Sequence, residues 1–323
     1  MGGRVMTSAA CNELDSSIAI DEHHRSAQRH RNDCILASRE AASGGRATSD
    51  HIFDPGLRKA AQREIAKAMA RHQKPVLKFS GGKDSLACLY LLRPWWSRVT
   101  VLWANSGDPY PETVEQMKHI RELVPNFVEV SGPGCVRWHG REQTYPTDMV
   151  PWTASAVGRL CSPGSPRFVL HSTIDCCWVN VWAPMQKKIR ELGADLVIRG
   201  ERESEAYRPP ITNGMIDPDN GGTQLIPIRR WSKGDVFSYL RAEGVEVPRQ
   251  YAYGMGSLDC LHCTGHLGEA GGKLRYLRDF HVDVAVEYER RLRLISSEQE
   301  RHMRLTKIAL GELEASNGEG NGD

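Results

Sequence analysis

Features that would assign a protein to a membrane or to a secretory route are missing from this sequence. None of its apolar runs reaches the roughly 18 residues that a membrane-spanning helix needs, and its first residues contain no apolar core typical of a signal peptide. The net charge at pH 7 is only +2 over 323 residues, so charge by itself does not indicate binding to nucleic acid. These absences predict a cytoplasmic protein that has no contact with a membrane.

A disulfide framework is not expected either. The chain contains 9 cysteines, and in a reducing compartment cysteines serve as thiols, metal ligands or redox groups more often than as disulfides. None of these cysteines follows Cys263. The last part of this sequence therefore offers no thiol nucleophile.

The composition is that of a folded protein flanked by two polar tails. Hydrophobic residues make up 40% and charged residues 25%, as in ordinary globular proteins, and the length suits one large domain or two small ones. Residues 1–50 and 312–323 show little apolar periodicity, which predicts disordered tails. Between them we expect a folded domain at 51–270 and a charged helical region at 271–311.

Helical and strand-like patterns alternate along the folded part. Apolar spacing and helix-start residues predict helices at 57–71, 85–92, 111–123, 182–192 and 233–243, and residues 276–311 are predicted to be a charged helical region. Short apolar runs predict strands at 76–79, 99–104, 127–130 and 195–199. Strands separated by helices of this length imply a mostly parallel sheet with helices on both faces. The predicted fold class is α/β, in the form of an α/β/α sandwich.

A glycine-containing loop follows the first predicted strand. The strand leads directly into Ser-Gly-Gly-Lys-Asp-Ser, and a helix begins immediately afterwards. Glycines let a ligand approach the backbone closely, and a helix start directs N–H groups and a positive dipole end at the loop. The spacing is not that of a Walker A loop. The pattern favours a phosphate site over a simple strand-to-helix turn. The predicted phosphate contacts are Ser80, Gly81, Gly82, Lys83, Asp84 and Ser85.

The hexapeptide resembles the PP-loop of the adenine nucleotide alpha hydrolase superfamily, which includes the N-type ATP pyrophosphatases and the phosphoadenosine phosphosulfate (PAPS) reductase family. Four further segments resemble motifs of the PAPS reductase family and occur in its order. They are Asn-Ser-Gly-Asp-Pro-Tyr-Pro-Glu-Thr at 105–113, Gly-Glu-Arg-Glu-Ser-Glu at 200–205, Pro-Ile-Arg-Arg-Trp-Ser-Lys-Gly-Asp-Val at 227–236 and Gly-Ser-Leu-Asp-Cys-Leu-His-Cys-Thr at 256–264. The resemblance covers about residues 70–268 and implies a Rossmann-like sandwich of the adenine nucleotide alpha hydrolase type.

The same resemblance implies a catalytic role for three residues. Lys83 would contact the nucleotide phosphates, Asp108 would act as a Mg²⁺ ligand or a positioning residue, and Arg202 would form a second phosphate or sulfate contact. Arginine suits this role because its guanidinium offers two parallel hydrogen bonds to an anion. The alternatives are a turn-forming role for Asp108 and a surface ion pair between Arg202 and Glu203 or Glu205.

A second group of candidate site residues consists of cysteines. Its members are Cys176, Cys177, Cys260 and Cys263. A Cys-x-x-Cys pair places two thiolates on one side of a turn, which suits Zn²⁺, an iron–sulfur cluster or a redox pair. The set resembles the cysteines of adenosine phosphosulfate (APS) reductases, which implies a [4Fe–4S] cluster, while structural Zn²⁺ and plain thiols stay open. Cys161 is a substitute ligand, and we expect His262 to flank the site without binding the metal.

Two features depart from the sulfonucleotide reductases of this family. Those enzymes attack the sulfate sulfur with a cysteine in a C-terminal Glu-Cys-Gly-type motif, but no cysteine follows Cys263 here. They also usually carry a degraded loop, whereas this sequence retains both glycines and Lys83. Both departures favour ATP with Mg²⁺ as the ligand and adenylation at the α-phosphate linked to sulfur transfer. The alternatives are an APS/PAPS reductase that produces sulfite, and a non-catalytic subunit that binds a nucleotide or a cluster.

The predicted partners follow from these activities. An adenine nucleotide is expected in each case, with a sulfur donor for adenylation or a thioredoxin-like reductant for sulfite formation. Basic pairs such as Arg229 with Arg230 and Arg290 with Arg291 leave a nucleic acid acceptor open, although charged helix faces are commoner. The sequence does not indicate an oligomeric state.

Overall fold

The structure is a computed structural model, and it describes six ranges of the chain. These are 53–134, 144–162, 164–205, 212–217, 221–258 and 260–314. The predicted N-terminal tail at 1–50, and residues 315–323 of the predicted C-terminal tail, lie outside the described residues.

The described residues form helices and short strands in alternation. The helices are α1 (Pro55–Arg71), α2 (Lys83–Leu91), α3 (Pro111–Leu123), α4 (Gly158–Cys161), α5 (Thr173–Cys177), α6 (Ala183–Leu192), α7 (Lys233–Ala242), α8 (Lys273–Phe280) and α9 (Val282–Ala309). The strands are β1 (Pro75–Lys78), β2 (Thr100–Asn105), β3 (Phe127–Ser131), β4 (Thr144–Thr147), β5 (Val169–Ser172), β6 (Leu196–Ile198) and β7 (Thr223–Leu225). A π-helical turn, Trp178–Trp182, joins α5 to α6.

Contacts divide the chain into two compact units. The first unit comprises Met1–Lys78, Lys83–Val99 and Ala194–Glu246. Within it β1, β6 and β7 pair in parallel, with Val76 beside Val197 and Val197 beside Gln224. Helix α2 contacts both α1 and α7. The fully apolar Leu-Val-Ile of β6 is buried, as expected for a parallel strand that is covered on both faces.

The second unit contains two further parallel strand pairs. It comprises Phe79–Gly82, Thr100–Gly193 and Val247–Asp323. Strand β2 pairs with β3, and β4 pairs with β5. Helix α6 packs against β2 and β3, and α8 packs against α9. A buried cluster near α8 and α9 contains Tyr110, Met255, Tyr276, Leu277, Ala285 and Tyr288.

Local sequence signals set several helix ends. Asp54 caps α1 by accepting a hydrogen bond from the Gly56 N–H at 2.7 Å. Ser232 and Asp235 form a reciprocal capping box at the start of α7. Gly193 ends α6 with a φ of 60°, a left-handed conformation that glycine adopts at little cost. These helices therefore begin and end where the sequence places capping residues.

The structure confirms the predicted α/β class with mostly parallel strands. The predicted strands correspond to β1, β2, β3 and β6, whereas β4, β5 and β7 were not predicted because each combines a short length with polar residues. The charged helical region predicted at 276–311 contains parts of two helices, α8 and α9, which meet at His281. The predicted domain boundaries stay predictions. Among the described helices, none combines the length and the apolar character needed to cross a lipid bilayer.

Candidate functional site

The glycine loop is closely packed by side chains of the second unit. Phe79, directly after β1, donates its N–H to the Leu102 carbonyl at 2.9 Å. Gly81 has a φ of 79°, and a Cβ there would lie 2.6 Å from the side-chain oxygen of Gln116. A Cβ on Gly82 would lie 2.9 Å from the Tyr251 hydroxyl. Gly81 thus has a left-handed backbone conformation that favours glycine, and a Cβ at either position would require a neighbouring side chain to shift.

Helix α2 begins at Lys83, directly after the loop, and its first residues join a group of charged side chains in the first unit. We call Lys83, Asp84, Arg202, Glu205 and Lys233 the anion cluster. Lys83 is 3% exposed and Arg202 is 7% exposed, so two cations are buried here. Charged side chains are rarely buried to this extent unless they are paired.

Carboxylates neutralise the two buried cations. The Lys83 ammonium donates to Asp84 Oδ2 at 2.5 Å. Arg202 donates from Nε to Asp84 Oδ1 at 2.9 Å and from Nη2 to Glu205 Oε1 at 2.5 Å. The main-chain N–H of Arg202 also donates to Glu205 Oε2, at 3.2 Å. Arg202 thus forms the ion pair with Glu205 that the sequence allowed, but its guanidinium is buried and also binds Asp84.

The charges of the cluster shift the pKa values of its more peripheral members. Loss of hydration lowers the pKa of Lys233, and the positive charges of Lys83 and Arg202 lower it further. Loss of hydration and the Asp84 carboxylate raise the pKa of Glu205, while Arg202 and Lys83 oppose the rise. Both shifts show that like charges are close together, and an added anion would relieve the crowding of the cations.

Close backbone approach brings the cluster together. A Cβ on Gly200 would lie 2.6 Å from the Asp84 carbonyl carbon and 2.7 Å from the Ser85 nitrogen. Only glycine therefore fits between the end of β6 and the start of α2. The structure thus unites the predicted residues Lys83, Asp84 and Arg202. Sequence analysis did not select Lys233, although it lies in the motif at 227–236.

The four predicted cysteines line one pocket, which lies in the second unit. The residues around this cysteine pocket are Ser106, Asp108, Pro146, Thr173, Cys176, Cys177, Asn180, Val181, Cys260, His262 and Cys263. Cys176 and Cys177 end helix α5, and the other two cysteines belong to the loop before α8. Cys161, the predicted substitute ligand, is exposed and is not among these lining residues.

Asp108 lies in the cysteine pocket and holds the loop of the Cys-x-x-Cys pair. Its carboxylate accepts from the main-chain N–H of His262 at 2.8 Å and lies 2.8 Å from His262 Nδ1. Its carbonyl oxygen accepts from the Leu261 N–H at 2.8 Å. A carboxylate beside Nδ1 fixes the imidazole tautomer that carries its proton there. The role of Asp108 as a Mg²⁺ ligand stays a prediction, and the observed contacts are with the cysteine loop.

The surroundings of Cys176 disfavour its thiolate form. Burial raises the pKa of Cys176, and the nearby Cys260 and Cys263 raise it further. Asn180 donates to the Cys176 carbonyl at 2.9 Å, and its buried Oδ1 accepts no hydrogen bond from the described residues. An acceptor buried in this way is unusual, so the pocket is not fully satisfied by the protein side chains around it.

His266, which lies outside the predicted site, contacts Cys177. His266 Nε2 lies 3.4 Å from the Cys177 sulfur. Its backbone has a φ of 56°, and its N–H donates to Asp148 Oδ1 at 2.8 Å. Sequence analysis missed His266 because the contact joins residues that are 89 positions apart.

The cysteines surround a pocket but do not converge on a point. Within the part of the chain that the structure describes, no group of three or more His, Cys, Asp or Glu side chains is placed to hold one metal ion. A zinc ion needs such convergence, since its bonds to sulfur are about 2.3 Å long. A [4Fe–4S] cluster is bound by four cysteines through its several irons and so accepts sulfurs that are further apart. Four cysteines around one pocket are a donor set of the kind that binds an iron–sulfur cluster.

Known proteins that resemble the chain include sulfonucleotide reductases. It is 30% identical over 103 residues to an adenosine 5'-phosphosulfate reductase of Neisseria meningitidis, which covers 30% of this chain and 41% of the relative. It is 23% identical over 190 residues to a phosphoadenosine 5'-phosphosulfate reductase of Yersinia enterocolitica, which covers 58% of this chain and 70% of the relative. A solved PAPS reductase from Candida auris, in a phosphate complex, aligns over 67% of this chain and 97% of its own, with 17% identity and a TM-score of 0.47.

The family match covers the same part of the chain as the motifs. The chain spans 41% of the length of the Neisseria relative that it matches. The family described as "Phosphoadenosine phosphosulfate reductase domain" matches residues 74–266, which is more than half of the chain. This range contains the glycine loop, the anion cluster and the four cysteines of the pocket. The chain therefore belongs to the phosphoadenosine phosphosulfate reductase family.

Proposed function

We propose that this chain binds an adenine nucleotide at residues 80–85. The reaction takes place at the α-phosphate or at the sulfate attached to it. The observation that carries the proposal is the anion cluster, in which Lys83 and Arg202 are buried at the start of a helix that follows a glycine loop. Buried cations need an anion, and here carboxylates supply it. A phosphate offers more acceptor oxygens than a carboxylate, so it can replace Glu205 as the partner of Arg202.

The first candidate substrate is a sulfonucleotide, APS or PAPS. The Neisseria and Yersinia relatives are named as reductases of these compounds, which favours sulfite formation over the adenylation that the loop alone suggested. The cysteine pocket supports the same substrate, because its four cysteines resemble the set found in APS reductases. We therefore place the reductase ahead of the ATP-dependent activity.

Reduction of a sulfonucleotide takes two electrons from two thiols. A thiolate attacks the sulfate sulfur, the bond from sulfur to the phosphate oxygen breaks, and the nucleotide leaves with that electron pair. A second thiol then attacks the sulfur of the first, which releases sulfite and leaves a disulfide. A dithiol reductant of the thioredoxin type can supply both thiols, and the exposed Cys161 is another source of the first. Lys83 and Arg202 would stabilise the negative charge of the leaving phosphate.

ATP with Mg²⁺ is the second candidate, favoured by the retained Lys83 and its two preceding glycines. A sulfonucleotide has no β-phosphate, whereas ATP presents a pyrophosphate group to a lysine at this position. Attack by an acceptor on the α-phosphate would release pyrophosphate and leave the acceptor adenylated. Sulfur from a donor would then displace AMP. The acceptor in this scheme is a small molecule or a nucleic acid.

We also propose that the cysteine pocket holds a [4Fe–4S] cluster. The ligands would be Cys176, Cys177, Cys260 and Cys263. Such a cluster supplies a negatively charged group that can take up or release one electron. The chain's own contribution is to orient the ligands: Asp108 holds the Cys-x-x-Cys loop, and Asn180 holds the carbonyl of Cys176. Zinc and plain thiols remain the alternatives.

The test compares substrates on the same anaerobically purified protein. Sulfite is measured with APS or PAPS and a dithiol reductant, and pyrophosphate is measured with ATP and Mg²⁺. Lys83→Ala is expected to lower whichever activity is found by about a hundredfold, the usual scale for one lost charge-stabilising group. The matched control is Lys187→Ala, which removes an exposed lysine of α6 and should leave the rate unchanged.

Each outcome assigns the chain to one activity. Sulfite without pyrophosphate supports the reductase, and pyrophosphate without sulfite supports adenylation. Nucleotide binding without either product supports the non-catalytic subunit. If none of the three nucleotides binds, or if the Lys83 and Lys187 variants behave alike, the anion cluster is not the nucleotide site.

A further inference from the structure

Lys273 is a buried lysine beneath the cysteine loop. It is the first residue of α8, and it is 0% exposed. Its ammonium donates to the carbonyl oxygen of Cys260 at 2.7 Å and to that of Cys263 at 2.9 Å. One cation therefore binds the backbone of both cysteines of the Cys-x-x-Cys pair. The family motifs did not single it out, and the sequence suggested only a charged helix.

The charge of Lys273 is only partly compensated by its surroundings. Its ammonium lies 5.9 Å from the centre of the Tyr110 ring and 5.2 Å from that of Tyr288, within reach of a cation–π attraction. The ion pairs found among the described residues do not include Lys273. Carbonyl dipoles and ring faces each offset part of the several kcal/mol that burying a charge costs, but neither supplies a full negative charge.

The missing negative charge can come from the ligands that the loop carries. Four thiolates bound to a [4Fe–4S] core give the whole group a net negative charge, and two of these thiolates would belong to Cys260 and Cys263. Asp108, which binds the same loop, directs its carboxylate to His262. The cation beneath the loop is thus placed to act on whatever the two cysteines bind.

We propose that Lys273 is the buried counter-ion of an anionic metal–thiolate group in the cysteine pocket, and that it positions the Cys-x-x-Cys loop for that group. The proposal rests on the proposed cluster and adds the residue that stabilises its charge. Lys273 acts through the loop and through its electric field, so it is a positioning residue. Its removal should destabilise the reduced cluster more than the oxidised one, because reduction adds a negative charge.

The experiment compares Lys273→Met with Arg275→Met, starting from the full chain reconstituted anaerobically with ferrous iron and sulfide. Both variants lose one positive charge from α8, but Arg275 is exposed, and it contacts the carbonyl and the ring of Tyr253. Three quantities are measured: iron and sulfide per chain, the rate of cluster loss to a chelator, and the midpoint potential. Lys273→Arg retains the charge and serves as the rescue variant.

We expect Lys273→Met to lose its cluster at least tenfold faster than Arg275→Met. The midpoint potential of Lys273→Met should be more negative than that of Arg275→Met by at least about 59 mV. For one electron this corresponds to a tenfold change in the reduction equilibrium. Lys273→Arg should restore most of both effects. Lys273→Met should lower the melting temperature of the reconstituted protein more than that of the metal-depleted protein, because both lose the hydrogen bonds to the Cys260 and Cys263 carbonyls but only the former also loses a counter-ion.

Other results overturn the proposal in distinguishable ways. Lys273→Met could lower the melting temperatures of metal-depleted and reconstituted protein equally and have the same midpoint potential as Arg275→Met. In that case Lys273 has only a structural role. If Lys273→Arg fails to rescue an otherwise folded protein, the hydrogen-bond geometry matters and the charge does not. If the wild type takes up no iron and sulfide, the proposed cluster itself is wrong, and the counter-ion has nothing to neutralise.

Discussion

The anion cluster and the cysteine pocket bury reactive groups in opposite ways. In the anion cluster, Lys83 and Arg202 are charged, and carboxylates of the chain supply the counter-charges at hydrogen-bond distance. In the cysteine pocket, burial raises the pKa of Cys176, and neighbouring cysteines raise it further, so that the thiol stays neutral. The first region thus balances its charges within the chain, whereas a thiol buried like Cys176 would have to lose its proton to bind a metal.

From this difference we infer how each region would respond to a ligand. A nucleotide phosphate entering the anion cluster exchanges one anion for another, so the affinity depends on how strongly Glu205 competes. A metal entering the cysteine pocket creates negative charge in a buried place, so its stability depends on the groups that receive this charge. Glu205 and Lys273 are therefore the residues at which the two regions can be tested separately.

The largest effect in the anion cluster is expected at Arg202. Arg202→Gln removes the cation that pairs with Asp84 and Glu205, and nucleotide affinity should fall about a hundredfold, the scale of one or two lost charge-assisted hydrogen bonds. Calorimetric titration with the nucleotide that binds the wild type measures this. Arg229→Gln is the matched control, because Arg229 pairs with Glu203 and lies outside the cluster. Equal affinities of the two variants would show that the phosphates bind elsewhere.

An intermediate effect is expected for Asp108→Asn, which should change the cysteine pocket and leave the anion cluster unchanged. Asp108→Asn weakens the contact with His262, so the affinity of the cysteine pocket for its metal group should fall about tenfold, as for other groups that orient metal ligands. Nucleotide affinity should not change. Iron content and calorimetry on one sample measure both, with Asp279→Asn, which loses only a contact to Tyr253, as the control. Weaker binding of the Mg²⁺-nucleotide with normal iron content would instead support the Mg²⁺ ligand that the family resemblance implied.

Local sequence predicted the parts of this fold that depend on local physics. Strands β1 and β6 appear in the sequence as short apolar runs because both are buried, and Gly81, in the loop between β1 and α2, has a positive φ that glycine adopts at little cost. Strands β4 and β7 contain polar residues in three- or four-residue segments, so neither length nor periodicity distinguishes them from loops.

The candidate sites were predictable as lists of residues, but their internal contacts were not. The resemblance to the family motifs selected Arg202, and the Cys-x-x-Cys spacing together with the same resemblance selected the four cysteines. The contact between Asp108 and His262 spans 154 positions, and no local pattern encodes it. Lys273 was unpredictable for another reason. A lysine among charged residues is expected to be exposed to solvent, and it is buried here because Tyr110 and Tyr288 pack around it.

The smallest effect, and the sharpest test of exchange in the anion cluster, is expected at Glu205. Its carboxylate accepts from the N–H and Nη2 of Arg202, and it must give way to an incoming phosphate. Glu205→Gln should therefore raise the affinity for inorganic pyrophosphate about threefold, the scale of a partly exposed ion pair. Glu203→Gln, which changes the neighbouring pair with Arg229 on the same turn, is the control and should have no effect.

The pH dependence of the affinity difference between the wild type and Glu205→Gln distinguishes competition by Glu205 from a general effect of charge. Desolvation and Asp84 raise the pKa of Glu205, so it becomes neutral at a higher pH than an ordinary glutamate. As the pH falls through that pKa, Glu205 releases Arg202, and the wild-type affinity approaches that of Glu205→Gln. The ratio of the two affinities, in which the ligand's own titration cancels, should fall towards one. A ratio that stays constant over the pH series would mean that Glu205 does not compete for the phosphate position.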